Sequence, residues 1–274
     1  MRRFIGIDML CKFKNKLVES SSPMVMAIVN LTDDSFYAQS RHLDGLSKDD
    51  ISIYAGADII DLGACSTRPG SVPVSAQTEW ERLEPALKIM QSKYPEMPLS
   101  VDTFRPELVG RLAGYGVDII NDVSGGSEQM YQAVAEADMT YVLTHNGPYV
   151  SDEAVVDYFC RRADQVLRAG VKDLWIDPGF GFGKTVDENY RMLALLPWLK
   201  QMLGMPVLVG LSRKSMITVP LATVPQDALE GTVAANTIAL MNGADILRVH
   251  DVLPAKQLIT IYSKFAEQNT PMPE

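Results

Sequence analysis

Asp102, Asn121 and Asp177 each sit at the end of a short apolar run, at residues 98–102, 118–123 and 173–178. Two carboxylates and an amide around one cavity would accept and donate hydrogen bonds along the edge of a nitrogen heterocycle. The same groups could bind a metal, move protons, or cap the helix that follows, above all Asp102 before Thr103. Ser66-Thr67-Arg68-Pro69-Gly70 offers hydroxyls, a guanidinium fork and a stiff turn, parts that suit an anionic ligand and also suit an ordinary turn. Lys214, in Ser212-Arg213-Lys214-Ser215, could set a cation beside a carbonyl or phosphate or could face solvent. In Arg248-Val249-His250-Asp251 the strand period of two puts Arg248 and His250 on one side. With Arg68 they form a plausible diphosphate pocket.

The run Asp177-Pro178-Gly179-Phe180-Gly181-Phe182-Gly183-Lys184 is not a phosphate loop, because lysine stands at 184 where that motif needs its second glycine. Its glycines would let the backbone pass under a flat ligand, with Phe182 as an apolar wall or a core side chain. His145, followed by Gly147 and Pro148, is expected to be structural, and His42 to be an exposed loop residue. No serine–histidine–acid set and no zinc spacing can be selected.

A repeated phrase locates the elements that must hold these residues. It occurs as Gly56-Ala57-Asp58-Ile59-Ile60-Asp61, Gly116-Val117-Asp118-Ile119-Ile120-Asn121, Gly170-Val171-Lys172-Asp173-Leu174-Trp175-Ile176-Asp177 and Gly243-Ala244-Asp245-Ile246-Leu247-Arg248. Each copy reads as a glycine ending a helix, a buried strand, and a polar residue at the strand's far end. Further runs at 24–30, 98–102, 139–145 and 206–212 make eight strands. They alternate poorly, as parallel strands buried on both faces do. Helical patterns occupy 76–93, 153–169, 188–203 and 227–241. Polar ends on nearly every strand favour a (β/α)8 TIM barrel with its site at the C-terminal strand ends over an open doubly wound sheet. Residues 24–270 are expected to form that barrel, with 1–23 an irregular lead-in or a cover for its bottom.

A chain of 274 residues, 47% hydrophobic and 22% charged, has an ordinary soluble-enzyme composition. Its net charge of −9 argues against nucleic acid as a partner. No apolar run is long enough for a membrane span and no signal peptide is recognisable. Cys11, Cys65 and Cys160 form no CxxC pair, which suggests a reducing compartment and a cytoplasmic location.

Taken in order, these motifs resemble the dihydropteroate synthase family across residues 24–266. The markers are Asn30 with Asp34-Ser35-Phe36, Asp61 through Gly70, Ser100-Val101-Asp102-Thr103, Asn121-Asp122, the 177–184 run, Ser212–Ser215 and Arg248–Asp251. The resemblance implies condensation of 6-hydroxymethyl-7,8-dihydropterin diphosphate with 4-aminobenzoate, in a barrel that is usually dimeric and uses Mg²⁺. It implies that Asp102, Asn121, Asp177 and Lys214 hold the pterin. Asn30, Arg68, Arg248 and His250 would hold the diphosphate, with Asn30 also near Mg²⁺. Thr67, Pro69, Phe182 and Ser212 would border the aminobenzoate, and Asp61 would organise the second loop and the pterin end. Arg68, Lys214, Arg248 and His250 would be the catalytic group.

The chain departs from the family pattern in four places. Asp33 replaces a proline, Ala38-Gln39-Ser40 replaces Asp-Gly-Gly, Cys65 replaces a glutamate, and Thr144-His145-Asn146-Gly147 shortens a Met-His-x-x-Gly segment. The first two predict inefficient loop closure and weak turnover. Corrinoid-linked methyltetrahydrofolate transferases share the pterin-binding barrel, but Lys214 within Ser-Arg-Lys-Ser and the complete Ser-Thr-Arg-Pro-Gly favour the synthase. A non-catalytic or weakly active pteridine-binding relative is the remaining alternative.

Overall fold

Side chains two residues apart on a strand share a face. In the computed structural model, which describes residues 9–13, 16–31, 54, 56–65 and 73–268, β1 (Met9–Phe13) and β2 (Lys16–Ser20) precede the barrel. The barrel strands are β3 (Met24–Asn30), β4 (Ile59–Gly63), β5 (Leu99–Asp102), β6 (Ile119–Asp122), β7 (Thr140–Thr144), β8 (Asp173–Asp177), β9 (Leu208–Val209) and β10 (Ile246–Val249). They pair in the order β8-β7-β6-β5-β4-β3-β10-β9, all parallel. A parallel bridge between Ile176 and Val207 brings the two ends together. The expected (β/α)8 barrel is the observed fold.

Outward residues such as Val25, Ala27, Ile60, Leu62, Val101, Tyr141 and Leu247 pack under the helices in the main apolar core. Inward residues Met24, Met26, Ile59, Ile119, Val142, Trp175, Leu208 and Ile246 fill the lower lumen. Of the two expectations for the lead-in, its described residues match the cover for the barrel bottom. β1 and β2 form an antiparallel hairpin whose Met9, Cys11 and Phe13 join that lower cluster. The Phe13 ring meets Trp175 edge-on, with centroids 6.2 Å apart. The hairpin covers the bottom of the barrel, and burial pushes the Cys11 thiol up to about 12. Cys11, Cys65 and Cys160 are all free thiols.

The repeated phrase has a physical basis at both of its first positions. Gly56, Gly116, Gly170 and Gly243 all take positive φ, between 72° and 98°, which a residue with a Cβ adopts only under strain. The aspartate two residues on accepts a backbone N–H from a neighbouring run: Asp58 from Val25, Asp118 from Leu99 and Asp245 from Val207, at 2.7, 3.0 and 2.7 Å. It therefore pins strand starts at the bottom of the sheet. Lys172 replaces it in the remaining copy and pairs with Asp138 instead.

The helices are α1 (Ala76–Lys93), α2 (Pro106–Gly114), α3 (Glu128–Ala137), α4 (Asp152–Arg168), α5 (Val186–Leu203), α6 (Ser215–Thr218), α7 (Leu229–Met241) and α8 (Val252–Gln268). Four are capped by their own hydroxyls. Ser75, Ser127 and Ser151 cap α1, α3 and α4, and Thr185 with Glu188 makes a reciprocal capping box on α5. Among the described residues, no helix is long and apolar enough to cross a membrane.

Candidate functional site

Going up two residues from the apolar lower lumen changes its chemistry. Above Ile59 stands Asp61, above Ile119 Asn121, above Trp175 Asp177, and above Ile246 Arg248. Strand register sets Asn30 beside Gly63, Gly63 beside Asp102, and Asp102 beside Asn121. A Cβ on Gly63 would lie 3.6 Å from the Asn30 side-chain oxygen and 3.8 Å from the Asp102 Cβ, so its absence widens the mouth there.

Arg248 ties the carboxylates together. Its Nε donates to Asp61 Oδ2 at 2.6 Å and its Nη2 to Asp102 Oδ2 at 2.9 Å. Asn121 Nδ2 donates to the same Asp61 oxygen at 3.2 Å. This leaves Asp61 Oδ1, Asp102 Oδ1 and Asn121 Oδ1 buried without a hydrogen-bond partner among the described residues. An unsatisfied buried polar group costs about 1–3 kcal/mol. Three together mark a site built for donors that a ligand brings. Burial pushes Asp102 up to about 7 against the pull of Arg248, with Asp61 adding to the rise.

The opposite wall is cationic. The Lys214 Nζ donates to Phe180 O at 2.5 Å and lies 4.9 Å from the centre of the Phe182 ring. Burial pulls its pKa down to about 8, while Asp177 holds it up. Asp177 is raised by burial, and its Oδ1 accepts the Gly179 N–H at 2.8 Å. None of the three rim residues caps a helix: α2 begins after Arg105, α3 is capped by Ser127 and α5 by Thr185. Helix capping is thereby removed as the role of Asp102, Asn121 and Asp177.

Residues 26–250 match the model of a family described as pterin binding enzyme. The chain is 39% identical to dihydropteroate synthase of Escherichia coli strain K12, covering 86% of this chain and 89% of the relative. It is 37% identical to the Streptococcus pyogenes enzyme of that name, covering 91% and 98%. The Xanthomonas albilineans dihydropteroate synthase solved with 4-aminobenzoic acid superposes with a TM-score of 0.85 at 35% identity, covering 96% of this chain and 99% of that one. The chain belongs to the dihydropteroate synthase family. It is an enzyme of the transferase class, with folate biosynthesis as its context.

The other expected site residues fall as follows. Arg248 engages the carboxylates of Asp61 and Asp102. His250 lies beside Ser212, its Nδ1 3.1 Å from the hydroxyl. Burial, followed by the nearby Arg248, pulls His250 down to about 4, so it is neutral at pH 7 and supplies a hydrogen bond rather than a charge. Arg213, beside Lys214, grips Asp251 through two 2.8 Å bonds and also donates to Pro225 O and Gln226 O, so it fixes the loop. Buried His145 packs its ring edge-on against Tyr158, in keeping with a structural role. Thr67, Arg68 and Pro69, and the first-loop residues Asp33 to Ser40 and His42, lie outside the described residues.

Sequence reasoning missed two contributors. Arg105 joins buried Glu79 at 2.8 Å and also donates to Val74 O, tying the far stem of the second loop to the start of α2. Lys184 was noticed only as part of its motif, although its ammonium group faces three carbonyls. Their partners are a glutamate in α1 and backbone carbonyls, which no local sequence pattern marks.

Proposed function

We propose that the chain condenses 6-hydroxymethyl-7,8-dihydropterin diphosphate with 4-aminobenzoate to give 7,8-dihydropteroate and diphosphate. The observation that carries this reading is the row of unpartnered buried acceptors on Asp61, Asp102 and Asn121, faced by Arg248 and Lys214. A pterin edge brings N–H donors to those oxygens and a carbonyl to the lysine. Asp177 closes the same edge, and Asp61 and Arg248 keep Asp102 and Asn121 oriented.

An arylamine is neutral near pH 7 and needs little help from a base to attack. The harder step is breaking the bond between the pterin methylene carbon and the diphosphate oxygen, with the electron pair leaving on oxygen. Arg68 and the imidazole N–H of His250 take up that charge, and the carboxylates Asp102 and Asp177 favour the cationic pterin that remains. The amine lone pair then forms the new C–N bond, and its proton passes to solvent or diphosphate. Phe182, Ser212, Thr67 and Pro69 border the arylamine in this reading.

Mg²⁺ is the cofactor we assign. Among the described residues, no three His, Cys, Asp or Glu side chains gather as a metal cage. Asn30 offers a single neutral oxygen, which suits an ion bound mainly by diphosphate oxygens and water. Such an ion would neutralise the leaving group. Two copies of the chain are proposed to pair through α7 and α8, where Val233, Met241, Leu258, Ile261 and Phe265 line one apolar groove. Ile261 is 71% exposed there, a costly placement for a lone chain. The assignment to the cytoplasm remains part of this reading.

The test is turnover of the purified protein with both substrates and Mg²⁺, followed by release of diphosphate. Product that depends on 4-aminobenzoate supports the synthase. Tight pterin binding without product would leave a pteridine-binding protein, and methyl transfer from methyltetrahydrofolate to a corrinoid would identify the related transferase.

A further inference from the structure

Lys184 ends the glycine-spaced run but points back into it. Its Nζ donates to His145 O at 3.0 Å, Gly179 O at 2.9 Å and Phe182 O at 3.2 Å. An ammonium group has three N–H donors and no acceptor, and all three are used. A neutral amine would turn a lone pair toward one of those carbonyls. The three acceptors come from two places: the end of β7, through His145, and both sides of the turn after β8, through Gly179 and Phe182. Lys184 is therefore a three-way staple between two neighbouring strand ends.

The turn is tightly built around that staple. Gly179 has φ +69°, and a Cβ there would fall 2.1 Å from His145 O. Gly181 and Gly183 also take positive φ. The proximal half of the turn has anchors of its own: Phe180 is fully buried, and Gly179 N–H is held by Asp177. Gly181 N–H is held by Asn189 Oδ1 at 2.7 Å. Phe182 is only partly buried, and its carbonyl is held by Lys184 and its N–H by Gly179 O. Gly179 O is thus shared between the turn's own hydrogen bond and the lysine.

We infer that Lys184 is a positioning residue for the second substrate: its ammonium group fixes the backbone from which Phe182 forms the arylamine wall, while Asp102 and Asn121 of the pterin wall are held outside this turn, by Arg248 and Asp61. The inference rests on the synthase reading above. Burial draws the Lys184 pKa down to about 8, with Asp177 and Glu188 holding it up and Lys214 opposing them, so the charged staple dominates at pH 7.

The experiment compares wild type with Lys184→Met, which keeps the stem and removes the donors. Lys184→Arg is the second variant, keeping the charge but replacing a point donor by a planar fork that cannot converge on three carbonyls. KM for 4-aminobenzoate should rise about tenfold in the Met variant, the loss expected of a charge-assisted hydrogen-bond set, and by a smaller factor in the Arg variant. Calorimetric pterin affinity should fall by a smaller factor, since Asp102 and Asn121 are supported by Arg248 and Asp61, while Asp177 and Lys214 reach the turn through Gly179 and Phe180. A wild-type arylamine KM in either folded variant overturns the inference. So does a pterin loss as large as the arylamine loss, which would mean general damage to the mouth. Absence of turnover in the wild type itself would instead overturn the synthase reading.

Discussion

The two ends of one barrel lumen are built on opposite principles. At the bottom, Met9, Cys11 and Phe13 of the hairpin close over Met26, Ile59, Trp175 and Leu208, and the aspartates at the strand starts, Asp58, Asp118 and Asp245, are each hydrogen-bonded to a neighbouring backbone N–H. Two residues higher, Asp61, Asp102, Asn121 and Asp177 are equally buried, yet three of these side chains keep an oxygen without a partner among the described residues. Burial at the bottom stabilises the protein, whereas burial at the top costs stability and is retained for binding. Changes at the two ends should therefore separate stability from chemistry.

The sharpest break of that comparison is Arg248→Met. It leaves Asp61 and Asp102 buried without their shared cation, and breaking such a pair costs about 3–5 kcal/mol. Urea unfolding should show that loss, and pterin binding should fall with it. A stable variant that still binds pterin would mean that the carboxylates are not held by Arg248. At the bottom, Phe13→Ala should cost about 3 kcal/mol of stability through the cavity left beside Trp175. Its kcat/KM, measured well below the melting range, should not change; a loss of turnover would show that the two ends are coupled.

Asp177→Asn should weaken pterin binding by roughly 1.5–3 kcal/mol, the worth of a charged acceptor. Arg68→Ala should spare pterin alone and weaken pterin plus diphosphate. Calorimetry compares them, and equal losses with pterin alone would erase the proposed division of the mouth.

Asp102 should also leave a mark on the pH dependence of stability. Its folded pKa is raised to about 7, chiefly by burial, from the ordinary aspartate value of 3.8. Between those values the folded protein binds the proton and the unfolded chain does not. The Asp102 contribution to stability is therefore fully present below about pH 4 and is lost as pH rises through about 7. His145 and His250, each held near 4 by burial, act in the opposite direction, so the readout is a difference. The stability of wild type minus that of Asp102→Asn, without substrate, should fall from pH 4 to 7; a flat difference would place Asp102 in a far more polar setting.

The smallest effect expected is in the first loop. Asp33→Pro should raise kcat/KM by a few-fold while leaving pterin affinity nearly unchanged, because closure matters most as the leaving group departs. Brisk wild-type turnover with a slower Asp33→Pro enzyme would mean that Asp33 belongs to a competent loop of different design.

The sequence by itself determined the strand series and most of the rim. The glycine–aspartate phrase is legible because each part has a local cause: a glycine that takes positive φ and an aspartate that caps a neighbouring strand start. Period-two alternation then carried Asp61, Asn121, Asp177 and Arg248 to one face. The hairpin was not legible, because Lys16 to Glu19 face solvent and Met9, Cys11 and Phe13 gain their burial only from a barrel formed much later in the chain. Nor could the sequence say whom Arg248 would meet. Its carboxylate partners lie 187 and 146 residues away, and meeting them is a matter of reach and desolvation across the closed lumen. Lys184 follows the same logic: its type announced a cation, but only the packing of two strand ends brought three carbonyls to it. Local backbone preference and alternation act over a few residues, so they can be read along the chain; the charge partners inside a barrel are decided by closure, which only the tertiary structure supplies.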